Sequence, residues 1–296
     1  MNRETVDISY FPGCSLATTS RENDQSLRTL CRRIGFNLIS LDDWNCCGSS
    51  SVYALEPEAS FHLSSRNLSL APKGLPLLVA CPKCLLRLRQ AQLKLKQNET
   101  ARESYREMWG KHFDEKLNII SFFELLDQGG FEKQLNTGFL KGLKGLGGMK
   151  VVVYYGCMLN APPGIQSEKS YYGRMERVLS LLGAVPVDWP CASRCCGTFL
   201  SVARPDIASR AVKDIMSEAV ATNADCIVTA CAMCHLNLEV RHGISKALPV
   251  FHFSEILALA LTSEVESKWF SRHLVDPRPI LNPRGLLEGC NRVSQC

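Results

Sequence analysis

Ten of the fifteen cysteines in this 296-residue chain fall into two sets of five with the same internal order. Each set is a single cysteine after glycine, an adjacent pair before glycine, and a C-x-x-C. The first is Cys14, Cys46-Cys47 and Cys81/Cys84; the second is Cys157, Cys195-Cys196 and Cys231/Cys234. The gaps are 31, 33 and 2 residues in one set and 37, 34 and 2 in the other, an offset of 143 to 150 residues. Five thiols are one too many for a tetrahedral zinc, which takes four donors from two chelating knuckles and would leave a reactive spare. Successive side chains of an extended segment diverge, so an adjacent pair chelates a single ion poorly. It suits two neighbouring irons, or one bridging and one terminal position, and iron–sulfur clusters bound by thiolates accommodate such a set.

The elements that must position these thiols are legible around them. "LLVACPKCLLRLRQAQLKLK" runs from an apolar strand into a helix with Leu85, Leu88, Ala91 and Leu95 on one stripe, and Pro82 suits the first turn. The C-x-x-C then sits at a helix N-terminus, where unpaired N–H groups and the positive end of the dipole favour anionic ligands. Gly48 and Gly197, directly after the pairs, predict positive φ or a close backbone approach. Cys31 on a helical stripe and Cys226 in "ADCIVTA" read as core residues, while Cys191 is near enough to Cys195 to be an alternative ligand. Cys290 and Cys296 follow "DPRPILNPRG", whose proline and glycine predict a loosely ordered extension.

The sequence between the cysteines repeats too. Leu27, Leu30, Cys31 and Ile34 form a helical stripe before Gly35, as Met175, Val178, Leu179 and Leu182 do before Gly183. Asp43-Trp44 and Asp188-Trp189 precede the two pairs, and "IISFFELL" from Ile119 corresponds to "VFHFSEIL" from Val250. Short apolar runs at 7–11, 36–41, 76–80 and 118–120, then 150–155, 185–187, 225–229 and 249–251, read as strands separated by helices. The fold class expected is α/β: two duplicated Rossmann-like domains, each a small, mostly parallel sheet flanked by helices, related by pseudo-two-fold symmetry. Glycine-rich "FLKGLKGLGGMK" (139–150) marks the linker. The boundaries expected are 1–146, 147–275 and an extension at 276–296.

At 46% hydrophobic residues the chain is long enough to bury a core in each half. Its net charge of +5 includes no long basic run, which argues against nucleic acid as a partner. No stretch offers the roughly 20 apolar residues of a membrane span, and "MNRETVDISYF" lacks the apolar core of a secretory signal. A cytoplasmic location is expected, peripheral to a membrane only through a complex. In that reducing compartment so many cysteines point to metal or redox chemistry rather than disulfides.

The duplicated Cys, Cys-Cys-Gly and Cys-x-x-Cys, opening with "YFPGCSL" and "YYGCMLNAPP", resembles the cysteine-rich CCG domain in the disulfide-cleaving subunit of heterodisulfide reductase, over about residues 7 to 260. The gap between pair and C-x-x-C is slightly shorter than the family's usual one. The resemblance implies two noncubane [4Fe-4S] clusters and no flavin on this chain. Cys14, Cys46, Cys47, Cys81 and Cys84 would hold one cluster, and Cys157, Cys195, Cys196, Cys231 and Cys234 the other. It further implies a disulfide bound between the clusters, at Cys46, Cys47, Cys195 and Cys196, and cleaved to two thiols or formed in reverse. Electrons would come from an iron–sulfur partner like the electron-donating subunit of that family, in a complex that can include a further, flavin-bearing subunit. His235 and His252 are candidate proton donors because histidine titrates near neutrality. Lys83 and Arg194, inside the motifs, are candidates for binding an anionic substrate group. Related CCG proteins imply alternatives: a thiol:fumarate reductase or succinate dehydrogenase-type complex, a sulfur-oxidising complex, or a non-catalytic electron relay.

Overall fold

The structure is a computed structural model that describes residues 5–49, 51–136, 144–159, 170–262, 265 and 267–287. Eight strands fall where the apolar runs predict them. The first half contributes β1 (Val6–Phe11), β2 (Phe36–Ser40), β3 (Leu77–Val79) and β4 (Ile119–Ile120). The second contributes β5 (Lys150–Tyr154), β6 (Val185–Pro186), β7 (Cys226–Thr229) and β8 (Val250–His252). Each half forms one four-stranded, all-parallel sheet, ordered β2-β1-β3-β4 and β6-β5-β7-β8. Inner strands such as β3 and β7 are buried along their whole length, because crossover helices cover both faces of a parallel sheet. Chain order reverses between β1 and β3, and again between β5 and β7. That topology opens a crevice at the carboxyl ends of those strands, the usual ligand position in a doubly wound sheet.

The two halves share a core. One hydrophobic cluster joins Ile8 and Tyr10 of β1 to Val151 and Val153 of β5. The helix Arg21–Arg33 packs against the helix Phe253–Leu261, every residue of which is buried because it is clasped between the halves. Phe122 and Phe253, equivalent positions in the two copies, meet edge to face with centroids 6.2 Å apart, and Phe123 stacks on Phe253 at 5.8 Å. Both helices that begin with these phenylalanines start with a capping box, Ser121 with Glu124 and His252 with Glu255.

Part of the glycine-rich linker, 137–143, lies outside the described residues. After it, Lys144 and Leu146 donate backbone hydrogen bonds to Ala260 and Leu182 of the second half. Residues 276–287, expected to be loose, are packed: Leu281 and Leu286 are fully buried and Arg284 pairs with Asp225 at 2.8 Å. Two leucines at the right spacing outweigh the proline and glycine around them.

Because the core is shared, the halves are expected to unfold in one cooperative urea transition. Phe253→Ala should lower stability by about 3–5 kcal/mol without splitting that transition; two separate transitions in the parent protein would contradict the shared core.

Candidate metal centre

Each cysteine set hangs from the carboxyl edge of its own sheet. Cys14 lies just past β1 in the short helix Gly13–Ala17, Cys46 and Cys47 follow β2, and Cys81 N-caps the helix Pro82–Gln97, with Cys84 in its first turn. The second half repeats this. Cys157 lies in Gly156–Leu159, Cys195 and Cys196 follow β6, and Cys231 N-caps Ala232–Arg241. Since every strand is parallel, all these loops open on one edge of the sheet, which is what gathers thiols from distant positions.

The sulfurs converge as the spacing predicts. In the first set Cys47 Sγ lies 3.1 Å from Cys84 Sγ, and hydrogen bonds link Cys14 to Cys46, Cys46 to Cys47, and Cys81 to Cys84. In the second, Cys196 Sγ lies 3.5 Å from Cys234 Sγ, with links from Cys157 to Cys195 and from Cys231 to Cys234. The adjacent pairs divide as diverging side chains must. Cys46 is exposed and Cys195 half-buried, whereas Cys47 and Cys196 are buried.

Protons are shared unequally in these sets. Hydrogen bonds from neighbouring thiols hold Cys47, Cys81, Cys195 and Cys196 below the ordinary thiol range, Cys195 at about 6 and Cys196 at about 5. The donors Cys14, Cys84, Cys157 and Cys234 are pushed up in consequence. Backbone groups add to the effect: the N–H groups of Lys83 and Cys84 donate to Cys81, and that of Gly197 to Cys195 Sγ at 3.3 Å. The thiolate is the metal-binding form, so two thiols per set held towards ionisation suit an iron–sulfur group. Cys31 and Cys226 behave oppositely, since complete burial in the apolar core pushes both thiols up. Cys191 is buried facing Arg194, whose guanidinium it holds more firmly protonated. Cys290 and Cys296 lie outside the described residues.

Small and aromatic residues shape the floor. Gly48 and Gly197 both have φ +72°, and a Cβ would come within 2.9 Å of the Ser60 Cα and 3.2 Å of the Ala208 Cα. Both expectations for these glycines hold at once. The repeated tryptophans pack beneath the sulfurs, Trp44 against Phe11 at 5.6 Å and Trp189 against Tyr154 at 6.1 Å. Two supports carry little sequence signal. The Ser64 hydroxyl donates to the Cys47 carbonyl at 2.8 Å, and Asn237 Nδ2 to the Cys196 carbonyl at 2.7 Å. Asn237 lies one helical turn beyond Cys234, which is the hint of it; Ser64 has none.

Residues beside the two sets meet across the seam between the halves. Lys83, between Cys81 and Cys84, lines a small cavity of about 20 Å³ together with Cys157, Cys195, Cys196, Phe199 and Met233. Its charge favours the thiolate forms of Cys157 and Cys195. In return Met233, at the equivalent position of the second C-x-x-C, accepts a 2.7 Å hydrogen bond from Ser15 beside Cys14. Arg194 points elsewhere, pairing with Asp214 at 3.1 Å on the surface. His235 is not in that cavity lining. It is buried at the interface of the halves, 2.9 Å from Asn23. His252 is buried as a helix cap, and desolvation lowers its pKa to about 4.

Residues 8–89 and 151–239 each match the CCG cysteine-rich domain, together more than half of the chain. The chain belongs to the CCG cysteine-rich domain family. Each matched range runs from the first strand of its half into the C-x-x-C helix. The chain is 27% identical over 282 residues to the 8-methylmenaquinol:fumarate reductase membrane anchor subunit of Wolinella succinogenes, covering 91% of this chain and 97% of that one. It is 25% identical over 275 residues to one subunit of the ferredoxin/F(420)H(2)-dependent CoB-CoM heterodisulfide reductase of Methanosarcina acetivorans, covering 86% and 89%. A solved hypothetical protein from Helicobacter pylori shares the fold, with a TM-score of 0.71 at 13% identity over 92% of this chain and 53% of that one.

Gly197→Ala combines a left-handed backbone with a clash. It should destabilise the chain by more than Gly110→Ala, whose added Cβ at φ +62° meets open space and costs about 1–2 kcal/mol. Thermal unfolding of the two variants checks this; equal shifts would show that the CCG glycine needs no close approach.

Proposed function

We propose that the chain is the disulfide-reducing subunit of a heterodisulfide reductase-like complex. It takes one disulfide, two electrons and two protons to two thiols, or runs the reverse. The observation that carries this reading is the seam, where Lys83 of the first thiol set lines the cavity of the second. In this reading Cys14, Cys46, Cys47, Cys81 and Cys84 hold one noncubane [4Fe-4S] cluster, and Cys157, Cys195, Cys196, Cys231 and Cys234 hold another. When bound, the clusters supply electrons one at a time, and a pair of them matches the two-electron S–S bond. The chain's own residues bind and orient the substrate. The Lys83 ammonium receives an anionic group, Phe199 and Met233 provide an apolar wall, and half-exposed Cys157 and Cys195 mark the open rim through which solvent protons reach the product thiolates. Arg194 faces away from the cavity, so anion binding falls to Lys83. Protonation through His235 would have to run by way of the interface network around Asn23 rather than by direct contact. The electron donor is a separate iron–sulfur protein of the complex, with a flavin-bearing one beyond it.

The Wolinella relative favours a second reading, in which the chain serves a fumarate reductase-type complex; a chain that only relays electrons is a separate alternative. Among the described residues no helix is long and apolar enough to cross a membrane.

Anaerobically purified protein should carry about eight irons per chain; four irons, or zinc in their place, would contradict two clusters. Cys195→Ser should abolish disulfide turnover with the electron-donating partner while leaving the unfolding transition intact, and unchanged turnover would remove Cys195 from the site. Thiol oxidation with an artificial electron acceptor separates catalysis from relay: activity is expected here, and none across a panel of thiols would favour the relay.

A further inference from the structure

The duplication supplies an internal control. In the first half the residues one and five positions after the C-x-x-C are Leu85 and Arg89, and Arg89 pairs with Glu124 of the following capping box at 2.7 Å. In the second half the same positions are His235 and Glu239, and the equivalent of Glu124 is Glu255. An ion pair has become two buried carboxylates, which cannot stand together without a cation. His273, from the segment after the second CCG domain, enters between them, with Nδ1 3.0 Å from Glu239 Oε1 and Nε2 3.2 Å from Glu255 Oε1.

We propose that His235, His273 and Glu255 form a metal site of a different kind from the thiolate sets, binding one divalent first-row transition ion of the zinc class through nitrogen and oxygen. The three ligand atoms lie within 4.8 Å of one another. The 3.2 Å between His273 Nε2 and Glu255 Oε1 is close to the roughly 3.3 Å that separates donors on one tetrahedral zinc. His235 Nε2 is buried with no partner at normal hydrogen-bond distance, Glu239 Oε1 standing 3.7 Å away. Each ligand is also held from behind, as metal ligands are. Glu239 accepts from His273 Nδ1–H, and the backbone N–H of His252 donates to Glu255 Oε2 at 2.7 Å; the ion would take the place of the proton that His273 Nε2 and Glu255 Oε1 share at 3.2 Å. Asn23 lies 2.9 Å from His235 Nδ1 through its amide nitrogen, while its Oδ1 has no partner. Turning that amide over lets the carbonyl accept from Nδ1–H, which leaves the Nε2 lone pair for the ion. Glu22 is a candidate fourth donor: it is buried and its Oε2 lacks a hydrogen bond, its recorded partner being the Arg272 guanidinium at 3.8 Å. Among the ligands His273 is the most exposed, at 8%, so the site has no substrate access and fastens the C-terminal segment to both halves.

The test is a Co²⁺ titration of the full chain with its cysteines occupied by iron, read in the visible d–d bands. One equivalent should bind without new thiolate-to-cobalt charge-transfer absorption. Binding should be lost in His273→Gln and in Glu255→Gln, and weakened about 10–100-fold in Asn23→Leu, with iron content unchanged. No binding, binding unchanged in the variants, or thiolate bands would overturn the proposal. If the variants do not fold, zinc-edge absorption on Zn²⁺-loaded parent protein still decides. Nitrogen and oxygen at about 2.0–2.1 Å are expected, and sulfur at about 2.3 Å contradicts the site.

Discussion

Sulfurs crowded to 3.1–3.5 Å would repel one another if all were thiolates, and the architecture around each cysteine set answers that constraint. Neighbouring thiols share protons with them, helix N-termini aim N–H groups at them, and Lys83 adds a positive charge from the other half. A metal group would replace the shared protons and take up the same charge. The parallel sheet is what collects five such groups, because its strand ends all open on one edge. The positive-φ glycines follow, since the chain must turn sharply to bring the pair down onto that edge.

The second constraint is the duplication. Each copy carries its own thiol set, and the two copies clasp on a shared phenylalanine-rich core that brings Lys83 of one to the set of the other. The halves have not stayed equal. Lys83 and Met233 occupy the same position in the two C-x-x-C motifs, yet one brings a cation to the opposite set and the other a thioether. The same divergence separates the Arg89–Glu124 pair from the Glu239, Glu255 and His273 cluster.

Much of this is legible in the sequence because its physics is local. The eight strands are runs of apolar residues, the stripes at Leu27 to Ile34 and Met175 to Leu182 are buried, and the ten patterned cysteines converge while Cys31 and Cys226 stay in the core. The rest depends on contacts between distant segments. Nothing in the spacing says that Lys83 crosses the seam, that His235 turns away from the cavity, or that His273 joins it at the interface. The packing of 276–287 is hidden for the same reason. Proline and glycine report local backbone freedom, whereas the burial of Leu281 and Leu286 depends on a surface formed elsewhere.

The claim on which the account rests is that two iron-binding thiolate sets face one another across the seam. Diffraction at the iron absorption edge from anaerobically grown crystals measures this directly. The account predicts two separate groups of anomalous peaks, one among Cys14, Cys46, Cys47, Cys81 and Cys84 and one among Cys157, Cys195, Cys196, Cys231 and Cys234. A single group, or peaks that appear only at the zinc edge, would contradict it.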